Sequence, residues 1–237
     1  MDIVIQDLAK SFGEKQILRQ LSAVIQVGAC TGIMGRSGCG KTTLLRILMG
    51  LEQADEGRIS GLPEAIAAVF QEDRLCEGFS AVQNVYAVMN RWNAMQRQAL
   101  ADQERLPKER KIPLADRERV AEGRKILSGQ RKTLRADKRS ILEKIEKNLS
   151  MVGLGDSLHL PVRELSGGMK RRVAIVRACM AESELLLLDE PFRGLDQETK
   201  KRAADYILRK SAGKTVILTT HDELELQLME SRDVIRL

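Results

Sequence analysis

GRSGCGKTT, residues Gly35–Thr43, follows the short apolar run Thr31–Met34 and leads into Lys41–Met49 (KTTLLRILM), where apolar residues fall at helical spacing. A buried strand, a glycine-rich turn and a helix in that order meet the phosphate-loop pattern G-x-x-x-x-G-K-[ST] through Gly35, Gly40, Lys41 and Thr42. The glycines let the chain turn so that several backbone N–H groups point inward at phosphate oxygens. The helix beginning near Lys41 adds its positive end. Lys41 is placed to neutralise phosphate charge, and Thr42 Oγ1 to hold Mg²⁺. Arg36, Ser37, Gly38, Cys39 and Thr43 complete the stretch expected to touch a nucleoside triphosphate.

Working outward, three more apolar runs resemble Thr31–Met34: Ala67–Phe70, Leu185–Leu188 and Thr215–Thr219. Helical stretches separate them, as in a buried parallel sheet, so the chain reads as α/β. Each run ends at residues able to do chemistry: Gln71, then Asp189 with Glu190, then His221. Ligands of open parallel sheets bind beyond the carboxyl ends of the strands, so one site at one sheet edge collects all four motifs. Asp189 is expected to hold Mg²⁺ there, and Glu190 to polarise an attacking water. Near the start, Asp2–Leu8 and Ala23–Val27 read as half-exposed strands, with a turn at Lys10–Lys15 around Gly13.

Leu165–Met169 (LSGGM) precedes Lys170–Ala181, which has helical periodicity. Ser166 and the Gly167–Gly168 backbone at a helix start form a second anion cradle. Leu127–Gln130 (LSGQ) is a decoy, since it lacks the second glycine and has a poor helix start behind it.

Composition narrows the classes. The 237 residues suit a single α/β domain. Aromatics make up 3%, too few for a stacking surface for single-stranded nucleic acid. Apolar runs fall far short of the roughly 20 residues that span a bilayer, and MDIVIQDLAK does not read as a secretory signal. A cytoplasmic protein is expected. Cys30, Cys39, Cys76 and Cys179 form no C-x-x-C pair, which predicts free thiols in a reducing compartment. The net charge of +6 sits in Arg91–Lys147, where 17 Lys+Arg face 9 Asp+Glu. Such a run is ordinarily a solvated helical face. Leu127, Leu134, Ile141, Ile145, Leu149 and Val152 recur there as on an amphipathic helix.

In this order Gly35–Thr43, Gln71, LSGGM, LLLLDE with Pro191, Asp196 and His221 resemble the ATP-binding subunit of an ABC transporter over nearly the whole chain. The resemblance implies one ABC-type ATP-binding domain over residues 1–237. Its RecA-like P-loop core has a parallel sheet, joined by a small antiparallel β subdomain and an α-helical subdomain inserted at about 76–180 and extended here. It implies a head-to-tail dimer of two ATP-binding subunits, identical in the simplest case, with two ATP molecules buried between them. Ser166, Gly167 and Gly168 then clamp the partner's ATP, and Asp196 in Gly194–Asp196 reaches the other subunit. Met169 stands where the family has Gln, but the serine and glycines are intact. Gln71 matches the glutamine that touches Mg²⁺ and senses the membrane partner, and His221 the histidine that contacts the γ-phosphate. Phe12 occupies the place of the aromatic ring that stacks on adenine. Catalysis falls to Glu190, His221, Lys41 and Gln71, and metal binding to Thr42, Gln71 and Asp189.

The resemblance also implies partners. These are integral membrane permease subunits and an extracellular substrate-binding protein, which put the chain on the cytoplasmic face of the cell membrane, with no nucleic acid expected. Val69–Leu75, Asn84–Val85 and Glu190–Asp196 look like the importers of nitrate, sulfonate and taurine. The chain's end at Leu237 suggests no room for a C-terminal regulatory domain. A soluble ABC ATPase acting on nucleic acid or ribosomes is the alternative, supported by the basic segment. A nucleotide kinase or GTPase accounts for the phosphate loop but not for LSGGM, D-E-P and His221.

Overall fold

Leu185–Leu188 has no polar residue because both faces of its strand are covered. Successive strand side chains point to opposite faces. Leu186 and Leu188 enter one hydrophobic cluster, whereas Leu185 and Leu187 enter another. The computed structural model describes residues 1–89 and 138–237.

Five parallel strands build the central sheet: β3 (Cys30–Met34), β5 (Ile66–Val69), β6 (Leu185–Asp189), β7 (Thr215–Thr220) and β8 (Asp233–Arg236), in the order β5-β6-β7-β3-β8. A second sheet is antiparallel, with β1 (Ile3–Phe12) between β2 (Lys15–Ile25) and β4 (Glu56–Ser60). Ile3, Ile5, Leu18 and Ile25 of that sheet pack with Ile33 and with Leu44, Leu45 and Leu48 of helix α1 (Lys41–Leu48) over one face of the parallel sheet. The opposite face is covered by helices: α2 (Ala81–Tyr86), α3 (residues 138–151), α4 (Gly167–Met180) and α5 (Gln197–Lys210). Helix α6 (Glu223–Leu228) adds Leu226 to the same cluster. Among the described residues no helix is long and apolar enough to cross a membrane.

Four predicted runs coincide with β3, β5, β6 and β7 to within a residue or two at each end. The strand expected at Ala23–Val27 begins earlier, at Lys15, because the turn at Gly13 lets it pair with β1 from Phe12↔Lys15 to Ile3↔Ile25. Only Leu18 and Ile25 of that strand are buried, so its first half carries little apolar signal. Strands β4 (EGRIS) and β8 (DVIR) were not expected. Both are edge strands with no buried residue, and their pairing is a matter of backbone hydrogen bonds.

Ile145, Leu149 and Val152 of the predicted amphipathic repeat are fully buried, and Ile141 packs against the same cluster. Leu127, Leu134, the LSGQ decoy and most of the basic segment lie outside the described residues.

Candidate active site

Because every strand of the central sheet is parallel, the carboxyl ends of β3, β5, β6 and β7 share one edge. The segments leaving them carry Gly35–Thr43, Gln71, Asp189–Glu190 and His221. A cleft of about 350 Å³ opens at this edge. Its walls include Ser37, Gly38, Gly40, Lys41, Thr42 and Thr43 of the loop, together with Phe12, Gln71 and Glu190. Lys15 and Ile17 of β2 line it as well, and nothing in their local pattern singles them out.

The loop's conformation explains its glycines. Gly40 caps α1 at φ +110°, and an added Cβ would stand 2.9 Å from both Ile17 Cγ2 and Leu18 Cδ2. At Gly35 it would fall 2.5 Å from Cys39 Sγ. Neither position admits a side chain. Helices α2, α4, α5 and α6 are capped by the side chains of Ser80, Ser166, Asp196 and Asp222. Gly40 offers no such group, so the first N–H groups of α1 are left for an anion. Lys41, buried, donates from Nζ to the carbonyl oxygens of Gly35 (2.7 Å) and Arg36 (3.2 Å).

Behind the loop, Thr42 Oγ1 donates to Asp189 Oδ2 at 2.9 Å, and Thr219 Oγ1 donates to Asp189 Oδ1 at 2.7 Å. Asp189 is buried, so the two hydroxyls satisfy a carboxylate that would otherwise be costly. A hydroxyl beside one carboxylate suits Mg²⁺, which keeps several waters and binds through one or two carboxylates plus phosphate oxygens. Among the described residues no three His, Cys, Asp or Glu side chains cluster as a metal site. One hydroxyl and one carboxylate, with phosphate oxygens to complete the set, are donors that fit such a metal.

Glu190 follows with φ +46°, a left-handed conformation rare for a residue with a side chain. Its N–H is held by Thr219, through the carbonyl at 3.2 Å and the hydroxyl at 3.1 Å. The two carboxylate oxygens lie 3.9 Å from His221 Nδ1 and 3.9 Å from Arg193 Nη1. The His221 side chain is 71% exposed.

Gln71 is held by its backbone. Arg171, on α4, donates from Nη1 to the Phe70 carbonyl (2.6 Å) and from Nη2 to the Gln71 carbonyl, and its Nε pairs with Asp73 Oδ1 at 3.2 Å. Burial pushes the Arg171 guanidinium below its ordinary value, opposed by Asp73, Asp189 and Glu190. Burial likewise raises the Asp73 carboxyl, opposed by Arg171, Arg177 and Lys170. Arg177 donates to the Asp73 and Arg74 carbonyls. Phe12 is half exposed at the cleft rim, with Lys10 Nζ 5.1 Å from its ring centroid.

Ser166, Gly167, Gly168 and Asp196 do not line this cleft. Ser166 Oγ accepts from the Met169 N–H at 3.3 Å and thereby starts α4. Asp196 caps α5, and its bonds from the Thr199 N–H and then the Thr199 hydroxyl hold its carboxyl below the usual range. The two segments are neighbours: a Cβ added at Gly168 would stand 3.6 Å from the Gly194 carbonyl oxygen. Ser166, Gly167 and Asp196 are exposed. The residues that sequence reading missed are Thr219, Arg171 and Arg193. Thr219 ends an apolar run, and the two arginines lie within Lys170–Ala181 and Glu190–Asp196, whose pattern gives neither a role of its own.

A family profile described as ABC transporter matches residues 18–193. The sulfate/thiosulfate import ATP-binding protein CysA of Neisseria meningitidis is 34% identical over 95% of this chain, which spans 56% of that relative's length. The aliphatic sulfonates import ATP-binding protein SsuB 2 of Pseudomonas aeruginosa is 32% identical over 98% of this chain and 71% of its own. Among solved structures, the dimeric bacterial ABC transporter cassette MJ0796 superposes with a TM-score of 0.69 at 22% identity, covering 99% of this chain and 94% of the other. That likeness concerns the fold, a parallel sheet with a small antiparallel sheet and helices. With the profile match across the phosphate loop, LSGGM and LLLLDE, the chain belongs to the ABC transporter family.

Proposed function

We propose that this chain is the ATP-binding and ATP-hydrolysing subunit of an ABC importer, working as a head-to-tail dimer at the cytoplasmic face of the membrane. The observation that carries this reading is the meeting of the phosphate loop, Asp189 and Glu190 at one sheet edge, while the Ser166–Gly168 cradle lies outside their cleft. A chain with two anion cradles, one in the cleft and one on an exposed segment, has a use for both when a second copy supplies the other half of each site.

In this reading Phe12 stacks on adenine, and the loop N–H groups with Lys41 bind the phosphates. Thr42, Asp189 and Gln71 would hold Mg²⁺, which would supply positive charge against the phosphates. Glu190 orients the attacking water and accepts its proton, and His221, beside it, contacts the γ-phosphate. Ser166, Gly167 and Gly168 close on the partner's ATP, and Asp196 on the adjoining segment reaches the other subunit. Positioning and electrostatic stabilisation supply the catalysis. The domain boundaries read from sequence, 1–237 with a helical insertion at about 76–180, go with this proposal. Permease subunits and an extracellular substrate-binding protein complete the transporter.

The cargo in this proposal is a small anion of the sulfonate or nitrate type, a reading supported by the relatives named for sulfate/thiosulfate and aliphatic sulfonates. Relatives named for methionine and Fe(3+) import have similar identities, 34% and 32%. Uptake assays in cells lacking this chain therefore compare these four cargo classes and nitrate, with loss of sulfonate or nitrate uptake as the expected result. For the ATPase itself, the purified chain should release phosphate from ATP in a Mg²⁺-dependent manner and dimerise with ATP. Full activity in excess EDTA, or turnover independent of protein concentration, overturns the reading.

A further inference from the structure

His221 stands between the last residue of β7 and the cap of α6, and its neighbours on both sides are held by one buried network. Thr220 Oγ1 donates to Glu225 Oε2 at 2.6 Å and accepts from the Asp222 N–H at 3.0 Å. Glu225 Oε1 accepts from Lys200 Nζ at 2.7 Å, and the same ammonium lies 3.7 Å from Asp222 Oδ2. Thr220 and Glu225 are buried and the Lys200 side chain is 17% exposed. The imidazole itself takes no part in this network; it is largely exposed, with Nδ1 3.9 Å from a Glu190 carboxylate oxygen. Lys200 belongs to α5, where its N–H donates to the Asp196 carbonyl at 2.8 Å. One residue thus touches the Asp196 turn through its backbone and the flanks of His221 through its side chain.

A Lys–Glu pair in this setting has a desolvation cost that hydrophobic packing would avoid, so it is weak evidence for a role in stability. It does have geometric consequences. Glu225 accepts from Thr220 and Lys200 at once, and so ties the start of the turn at His221 to α5. We propose that Lys200 is a positioning residue for His221: through Glu225 it fixes the backbone on both sides of the histidine and joins it to the Gly194–Asp196 segment. This rests on the reading of His221 as a group that contacts ATP.

The test combines a signal from His221 with kinetics. The chain has two histidines, His159 and His221, so ¹⁵N-histidine NMR with a His159→Gln control assigns His221 directly. Lys200→Met should shift or broaden the His221 signal, leave His159 unmoved, and lower kcat by about tenfold or more. The Kd for ATP should stay within about twofold, because a positioning loss falls on the transition state. Lys200→Arg should restore most of kcat. Should Lys200→Met fail to fold, Glu225→Gln keeps the side-chain shape but weakens the pair, and the same pattern is expected. An unmoved His221 signal, or a kcat within about twofold of wild type, overturns the proposal. The underlying reading fails separately: it does so if His221→Ala alone hydrolyses ATP at the wild-type rate.

Discussion

Thr42 and Asp189, 147 positions apart in the chain, meet through a 2.9 Å hydrogen bond from hydroxyl to buried carboxylate. Thr219 occupies the other carboxylate oxygen, so the strand between β3 and β6 locks the pair from beneath. Asp189→Asn replaces an acceptor-only group by one that must also donate. Phosphate release should fall by ~100-fold or more, and the Mg²⁺ concentration for half-maximal rate should rise. An unchanged Mg²⁺ dependence would remove Asp189 from the metal site.

Glu190 is held in a left-handed conformation by two bonds from its N–H to Thr219, with its carboxylate between His221 and Arg193. Glu190→Gln keeps the shape and loses the proton acceptor. Hydrolysis should drop by ~10²–10⁴-fold, ATP binding should persist, and a nucleotide-bound dimer should accumulate in light scattering. Wild-type turnover in this variant would place the base elsewhere.

Ser166 lies on an exposed helix start outside the phosphate-loop cleft. Ser166→Arg should leave the affinity of the monomer for a fluorescent ATP analogue intact and abolish hydrolysis. Loss of nucleotide binding by the monomer would contradict the assignment of this cradle to the partner's ATP.

Arg171 satisfies two carbonyls and pairs with Asp73 while itself buried. Arg171→Met leaves these groups without their partner, and should cost ~3–5 kcal/mol of stability. Denaturant unfolding measures it. A loss below about 1 kcal/mol, the range of exposed pairs, would mean that water replaces the guanidinium.

Burial pushes the Cys179 thiol up to about 12 and the Cys30 thiol up to about 11. The thiolate is the reactive form, and it becomes scarce far below these values. N-ethylmaleimide at pH 7 should therefore label Cys39 and the exposed Cys76 ahead of Cys30 and Cys179, as mass spectrometry of digests would reveal. ATP should protect Cys39, which lies in the loop. Labelling of Cys39 that is indifferent to saturating ATP would argue against nucleotide in this cleft.

Local pattern carried most of the fold and much of the site. The runs ending at Gly35, Gln71, Asp189 and His221 were legible because a strand buried on both faces is continuously apolar, and because glycine spacing reports backbone shape directly. The helix repeat through Ile145, Leu149 and Val152 was legible for the same reason: periodicity records which face is buried. Strands β4 and β8 were not, since an edge strand joins a sheet by backbone bonds and leaves little trace in side-chain pattern.

What the sequence determined by itself was the set of chemical groups and the strand ends they occupy: Lys41 and Thr42 after β3, Asp189 and Glu190 after β6, His221 after β7. Only the tertiary structure decided which groups meet. Placing β7 between β3 and β6 puts Thr219 beneath both Asp189 and Glu190, and packing α4 against β5 lets Arg171 grip the Gln71 segment. The same packing leaves Ser166 outside the cleft. Such contacts join residues a hundred or more positions apart or depend on strand order. Neither the period of a helix nor that of a strand encodes them, because those periods reflect only burial and backbone geometry within a few residues.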